Sequence, residues 1–329
     1  MDRIFASLMN LRSIVTFLVF FFPLTVSSFD LIPAVFTPFS EDEIGIGKLD
    51  TSKVIDYAKF LKQKQNISSV FVGGTNGESL SLTLEERKTL LEAWVEAAPS
   101  IGGMTIISHV GAESIVDAIA LASHAKSLDG VASVAAMPPT FFRPSSVSEL
   151  VAWFSPIAEA AYPLTIKYYH IPSMTNVAID MDEFLVAASS AIPNFTGIKY
   201  TDTDLYTFTK CVSLGVGEMF YGKDETLTSG MLLGATSAVG STYSFLAPTA
   251  WSAVHAWESG NVKSAQEYQG KITLLINTML PYGGIPAQKA IVKMMGLDLG
   301  NVRLPLTALE EDQEANLKKD LNAIGFFDW

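Results

Sequence analysis

From Phe29 onward, short apolar runs alternate with segments whose apolar residues recur at helical spacing. Eight runs read as strands: Leu31–Phe36, Ser69–Gly73, Met104–Val110, Val131–Ala136, Leu164–Tyr169, Thr196–Tyr200, Glu218–Tyr221 and Ser237–Ser241. Thr83-Leu84-Glu85-Glu86 and Ser146-Val147-Ser148-Glu149 have the spacing of a capping box, and Asp180 and Asp204 stand where they would cap two further helices. Eight β–α units in roughly 220 residues predict an α/β chain folded as a (β/α)8 TIM barrel. A doubly wound open sheet is the alternative, although no GxGxxG follows a strand to give it a dinucleotide site. After Pro248 the pattern is helical only, over Ala250–Ser259, Asn261–Leu280, Ile285–Met295 and Leu306–Ile324. The last three form a C-terminal extension, about residues 260–329, packed on the barrel. No linker or internal repeat divides residues 29–329, which read as one domain.

Before Phe29 the pattern changes. Arg3 and Arg12 flank the start, thirteen residues from Ile14 to Val26 are largely apolar, and Val26-Ser27-Ser28 offers small residues for cleavage. That length suits a signal-peptide core and is short for a bilayer span. Residues 1–28 therefore read as a cleaved signal peptide, with an uncleaved membrane anchor as the rival. The expectation is a secreted or lysosomal protein with no stable membrane association after cleavage. Asn66-Ile67-Ser68 and Asn194-Phe195-Thr196 match the N-glycosylation pattern, which matters only on that route.

Composition narrows the chemistry. With 49% hydrophobic residues the chain can bury a large core, and a formal net charge of −12 argues against nucleic acid and anionic membranes. One cysteine, Cys211, excludes an internal disulfide, and the four histidines show no metal-ligand spacing.

Lys199 sits inside the apolar run Thr196–Tyr200. A buried lysine is desolvated, its pKa falls, and the neutral amine can attack a ketone to form a Schiff base. The plainer reading is an edge-strand lysine that reaches solvent. What favours the chemistry is that unusual polar residues gather at the C-terminal ends of the predicted strands, where barrels keep their active sites. Strand two ends in Gly74-Thr75-Asn76-Gly77-Glu78, strand five in Tyr169-His170-Ile171-Pro172, and strand six carries Lys199 and Thr201. Strand seven runs into Gly222-Lys223-Asp224-Glu225 and strand eight into Ser241-Thr242. The N–H groups of the Gly74–Gly77 turn, with Thr75, could hold a carboxylate. A phenol at Tyr169 could move protons, and Asp224, Glu225, Ser241 and Thr242 could bind a polyol.

The segments Gly74-Thr75-Asn76-Gly77-Glu78, Tyr169-His170-Ile171-Pro172 and Gly197-Ile198-Lys199 resemble the signature of the class I pyruvate-dependent aldolase family, which includes dihydrodipicolinate synthase and N-acetylneuraminate lyase. The likeness runs from about Leu31 to the C-terminal helices. It is strongest to the animal-type N-acetylneuraminate lyase branch, through Gly77-Glu78-Ser79-Leu80-Ser81-Leu82, Lys199-Tyr200-Thr201-Asp202-Thr203-Asp204-Leu205 and Gly234-Ala235-Thr236-Ser237-Ala238-Val239-Gly240-Ser241-Thr242-Tyr243. The resemblance implies a carbon–carbon lyase in which Lys199 forms the imine and Tyr169 takes the C4 hydroxyl proton. It implies Thr75, Asn76, Thr201, Gly222, Asp224, Glu225 and Ser241 as substrate-binding residues. The ligands would be a sugar acid and pyruvate, with no metal or diffusible cofactor, in a homo-oligomer, by resemblance a homotetramer. Two absences separate the chain from dihydrodipicolinate synthase. Met174 stands where that relative has an arginine two residues after the motif proline, and Pro138-Pro139-Thr140-Phe141-Phe142-Arg143 lacks its tyrosine.

Three positions depart from the family pattern. Asn76 replaces a second Thr or Ser. Lys167, two residues before Tyr169, puts a second amine on the inward face unless a bulge turns it out, which is the reading preferred here; turned inward, it would depress the Lys199 pKa or compete as nucleophile. A secretory signal is the third. Two alternatives stay open: an aldolase for another 2-keto-3-deoxy sugar acid, and a secreted sugar-acid binding protein without turnover.

Overall fold

Eight strands lie parallel in one sheet: β1 (Leu31–Pro33), β2 (Ser69–Val72), β3 (Thr105–His109), β4 (Val131–Ala136), β5 (Thr165–His170), β6 (Phe195–Tyr200), β7 (Glu218–Tyr221) and β8 (Ser237–Gly240). They belong to a computed structural model that describes residues 29–43 and 45–329. Each strand from β2 to β7 pairs with the next in sequence, and β8 also pairs with β1. An Ala34–Phe71 bridge, with Val35 N–H donating to Phe71 O at 3.1 Å, brings β1 back to β2 and closes the barrel. Closure removes both sheet edges, so the open-sheet alternative is wrong.

Side chains alternate across each strand. Phe71, Ile107, Ala135, Tyr169, Phe220 and Val239 point inward and pack against one another. Their neighbours face the helices, where Tyr168, Phe154 and Phe184 stack at centroid separations from 4.8 to 6.2 Å. The Tyr-His-Ile-Pro motif divides this way. Tyr169 and Ile171 join the inner cluster, while His170 turns outward onto the Tyr200 ring, 4.9 Å away.

The connecting helices are α1 (Val54–Lys64), α2 (Leu84–Ser100), α3 (Ile115–Ser127), α4 (Val147–Ala161), α5 (Met181–Ala191), α6 (Leu205–Ser213), α7 (Leu227–Leu232) and α8 (Ala247–Glu258). Thr83 makes the full reciprocal capping box with Glu86. Ser146 accepts from Glu149 N–H, but the Glu149 carboxylate turns back to Ser145 instead of Ser146. Asp204 caps α6 through Thr207 N–H, whereas Asp180 makes no cap bond. The extension consists of α9 (Val262–Met279), α10 (Gly284–Met294) and α11 (Glu311–Ala323). Residues 306–309, expected to be helical, are not: a capping box between Glu310 and Gln313 starts α11 later.

The apolar run of residues 14–26 and its cleavage point lie outside the described residues. Within them, no helix is long and apolar enough to cross a membrane. The expected glycosylation at Asn194 is wrong. Its side chain is buried and its amide donates to Ala158 O at 2.9 Å and Leu164 O at 2.8 Å, so the nitrogen is spent on joining α4 to β5.

Candidate active site

A cavity of about 220 Å³ opens at the C-terminal rim of the barrel. All nine residues expected to act there line it: Lys199 and Tyr169, then Thr75, Asn76 and Thr201, then Gly222, Asp224, Glu225 and Ser241.

Lys199 is buried, 3% exposed, next to Tyr169 in the β5–β6 register. Its Nζ lies 3.7 Å from the Tyr169 ring centroid and 4.1 Å from that of Phe71. Burial pushes the amine down to about 7, and the charge of Asp224 pulls the other way. A substantial fraction is then neutral near pH 7, as a nucleophile requires. The two ring faces would favour a cation at the same point once an iminium forms.

The Tyr169 hydroxyl lies 3.1 Å from Thr75 Oγ1. Burial raises this phenol to about 12, against the opposing pull of the Thr75 and Thr201 hydroxyls. Thr201 Oγ1 is buried without a well-formed hydrogen bond and lines the cavity. A side chain at Gly222 would collide with that hydroxyl, which is why the position takes glycine. On the loop after β2, the N–H groups of Thr75, Asn76 and Gly77 have no protein acceptor among the described residues, so they stay available to an anion.

Asp224 is buried, and Oδ2 accepts from Thr242 N–H at 2.9 Å and Thr242 Oγ1 at 2.7 Å. Burial raises it to about 6, opposed by those two bonds and by the charge of Lys199. Any Cβ at position 240 would collide with this carboxylate, so Gly240 is tied to Asp224. Thr242 spends its hydroxyl proton on Asp224, so towards a polyol it can act only as an acceptor. Glu225 sits at the mouth, its carboxylate 2.6 Å from Lys223 Nζ.

Lys167 differs from the preferred reading. The register does shift between Ile166 and Lys167, yet the side chain stays inside, 5% exposed, with Nζ 4.6 Å from the Phe220 ring centroid. Its amine meets Glu218 Oε2 at 2.8 Å and Thr196 Oγ1 at 3.1 Å, at the starts of β7 and β6. That is the opposite end of the barrel from the cavity, which it does not line. Burial, not a second amine, depresses Lys199. Lys167→Met is therefore expected to leave Lys199 reactive. Trapping with borohydride and pyruvate should label the variant like the wild type, with the pH midpoint moved by less than about half a unit.

Sequence reasoning missed two contributions. His109 is buried, donates from Nδ1 to Gly73 O at 2.9 Å, and packs edge-on to Tyr169 at 5.8 Å. Burial foremost, then the charges of Arg87 and Lys199, keep it neutral. The C-terminal helices also enter the cavity, with Ile276 and Met279 from α9, Leu280 beyond it and Gln288 from α10. A polar pair, Gln288-Lys289, on the apolar face of a helical pattern was the available signal.

The geometry has clear counterparts. The dihydrodipicolinate synthetase family matches residues 27–324. The N-acetylneuraminate lyase of Rattus norvegicus is 35% identical over 301 residues, 90% of this chain and 92% of that protein. The solved Proteus mirabilis N-acetylneuraminate lyase superposes with a TM-score of 0.84 at 34% identity, covering 90% of this chain and 98% of its own. A Ruminococcus gnavus sialic acid aldolase, solved as a catalytic lysine mutant, gives 0.82 at 27% identity, over 91% and 96%. The matched mammalian lyases are cytosolic, which overturns the expected secretory, secreted or lysosomal location. An apolar run beside two arginines, small residues at its end and two tripeptides carried that expectation, and one of those asparagines is buried.

Proposed function

The chain belongs to the dihydrodipicolinate synthetase family, and on that premise we propose that it is a Schiff-base lyase that cleaves N-acetylneuraminate to pyruvate and N-acetylmannosamine. The observation that carries the reading is Lys199: a buried amine brought down to about 7, facing Tyr169 in a cavity at the barrel's C-terminal rim.

The neutral amine adds to the C2 ketone of the open-chain sugar, and loss of water gives the imine, which takes up one proton from solvent to become the iminium. As the C3–C4 bond breaks, its electron pair moves toward the iminium nitrogen and gives the enamine of pyruvate. The C4 hydroxyl proton passes to the Tyr169 oxygen. A phenol near 12 is a poor base when neutral, but a fixed positive charge on the Lys199 nitrogen, 3.7 Å from its ring, lowers the cost of a transient phenolate. The phenol gives up its own proton as it takes this one: Thr75 Oγ1, 3.1 Å away, can accept it only while passing its hydroxyl proton to the open cavity, which returns to solvent the proton taken up by the imine. Protonation of the enamine and hydrolysis then release pyruvate.

Asp224, Glu225 and Ser241 are assigned to the polyol of the sugar, and Thr75, Asn76 and Thr201 to the reacting end. Glu225→Ala is expected to slow cleavage of the full sugar about ten- to a hundredfold, the scale of one lost charged hydrogen bond, while pyruvate still traps on Lys199. Normal cleavage by that variant contradicts the assignment. Rates on N-acetylneuraminate and on a 2-keto-3-deoxy sugar acid lacking the acylamino group separate this reading from the other-substrate alternative. A binding protein without turnover has no observation in its favour, since Lys199 and Tyr169 both line the cavity. We also assign a homo-oligomer, by family likeness a homotetramer, in keeping with the exposed Phe141 and Phe142 beside the rim. Sedimentation reads this directly, and a monomer of 35.6 kDa contradicts it.

A further inference from the structure

Asn76 and Gln288 come from opposite parts of the chain, the loop after β2 and helix α10, and both line the cavity. Asn76 Nδ2 lies 3.1 Å from Gln288 Oε1. Among the described residues neither amide has another side-chain partner, and Gln288 is 6% exposed. Two amides joined by one N–H···O=C bond keep three unspent N–H protons, two on the accepting amide and one on the donor, whichever of the two donates. Both amides line the same cavity as Thr75, in a net-negative protein where an anion needs local donors.

The pair is held from outside the cavity. Lys289, next to Gln288, donates to Thr37 O at 2.9 Å and Asn301 O at 2.6 Å, and its Nζ lies 3.5 Å from Glu78 Oε1. Glu78 Oε2 in turn accepts from Arg303 N–H at 2.7 Å. Consecutive residues of α10 thus grip the loop at positions 76 and 78. The loop and the helix cannot shift independently, so the amide pair has a defined place.

We propose that the Asn76–Gln288 pair is a carboxylate-selecting element, and that Gln288 is a specificity-determining residue for 2-oxo acids at this site. The inference rests on the imine reading above. A carboxylate gains a neutral donor from the pair, whereas an uncharged ester at the same place gains much less. Gln288→Met keeps the length and packing of the side chain but removes the amide. Gln288→Glu keeps the shape and sets a negative charge against the ligand's own.

The test is borohydride trapping with two probes, pyruvate and its methyl ester, read as the concentration of each that gives half-maximal labelling of Lys199. Gln288→Met is expected to weaken pyruvate about tenfold relative to the ester, and Gln288→Glu about a hundredfold, the range for a lost or reversed charged hydrogen bond. A merely structural role would weaken both probes together. Equal weakening of pyruvate and ester, or an unchanged preference in both variants, overturns the proposal while leaving the imine reading intact. Failure of both probes to label the wild-type chain overturns the imine reading and this inference with it.

Discussion

Lys199→Ala is expected to abolish cleavage of N-acetylneuraminate, with a loss of about 10⁴- to 10⁶-fold, the scale seen when a covalent nucleophile is removed. The argument is local. Lys199 has the only amine lining the cavity among the described residues, and the other interior lysine, Lys167, pairs with Glu218 at the far end of the barrel. Removing a buried amine relieves a desolvation cost that offsets the cavity left by its stem, so the variant's melting temperature should stay within a few degrees of the wild type's, on the order of 1 kcal/mol or less. The same burial fixes the pH response. Because the amine titrates near 7 and only its neutral form attacks, trapping should be flat above about pH 8. It should fall about tenfold per unit below about pH 6. A midpoint near 10, that of an ordinary lysine, contradicts the assignment.

Tyr169→Phe should give the second largest effect, about 10²- to 10⁴-fold in cleavage, the usual contribution of a positioned general acid–base group. The ring survives in this variant, so the aromatic face over Lys199 and the inner packing with Phe71 and His109 are kept. Imine formation with pyruvate needs no proton from the C4 hydroxyl. The variant is therefore expected to trap pyruvate on Lys199 within about threefold of the wild-type rate while failing to break the C3–C4 bond. Equal loss of trapping and cleavage would mean that the phenol serves the imine itself.

The barrel was legible because its strands are short apolar runs with helical spacing between them, and closure follows from eight such units. The Lys199 site was legible from alternation: residues at strand ends on the inward face converge whatever the details of the loops. Lys167 was misread because a bulge was expected to turn it outward, whereas the register shift leaves it inside, and alternation says nothing about where a four-carbon stem carries its charge. Glu218, supplied by a neighbouring strand, decides that. Gln288 and the apolar wall of Ile276, Met279 and Leu280 lie some fifty residues or more beyond Glu225, on helices whose pattern says only that one face is buried. Which cavity that face closes depends on a fold-back that no local signal encodes. The expected secretory location failed for a different reason. Hydrophobicity and flanking charge describe many segments, and the tripeptide at Asn194 is blind to its burial.

The central claim is that Lys199 is the nucleophile. Incubating the wild-type chain with pyruvate and borohydride, then mapping the peptides by mass, tests it most directly. The expected result is one reduced pyruvyl adduct, on Lys199 alone. An adduct on Lys167, or none at all in a preparation that cleaves N-acetylneuraminate, would contradict it.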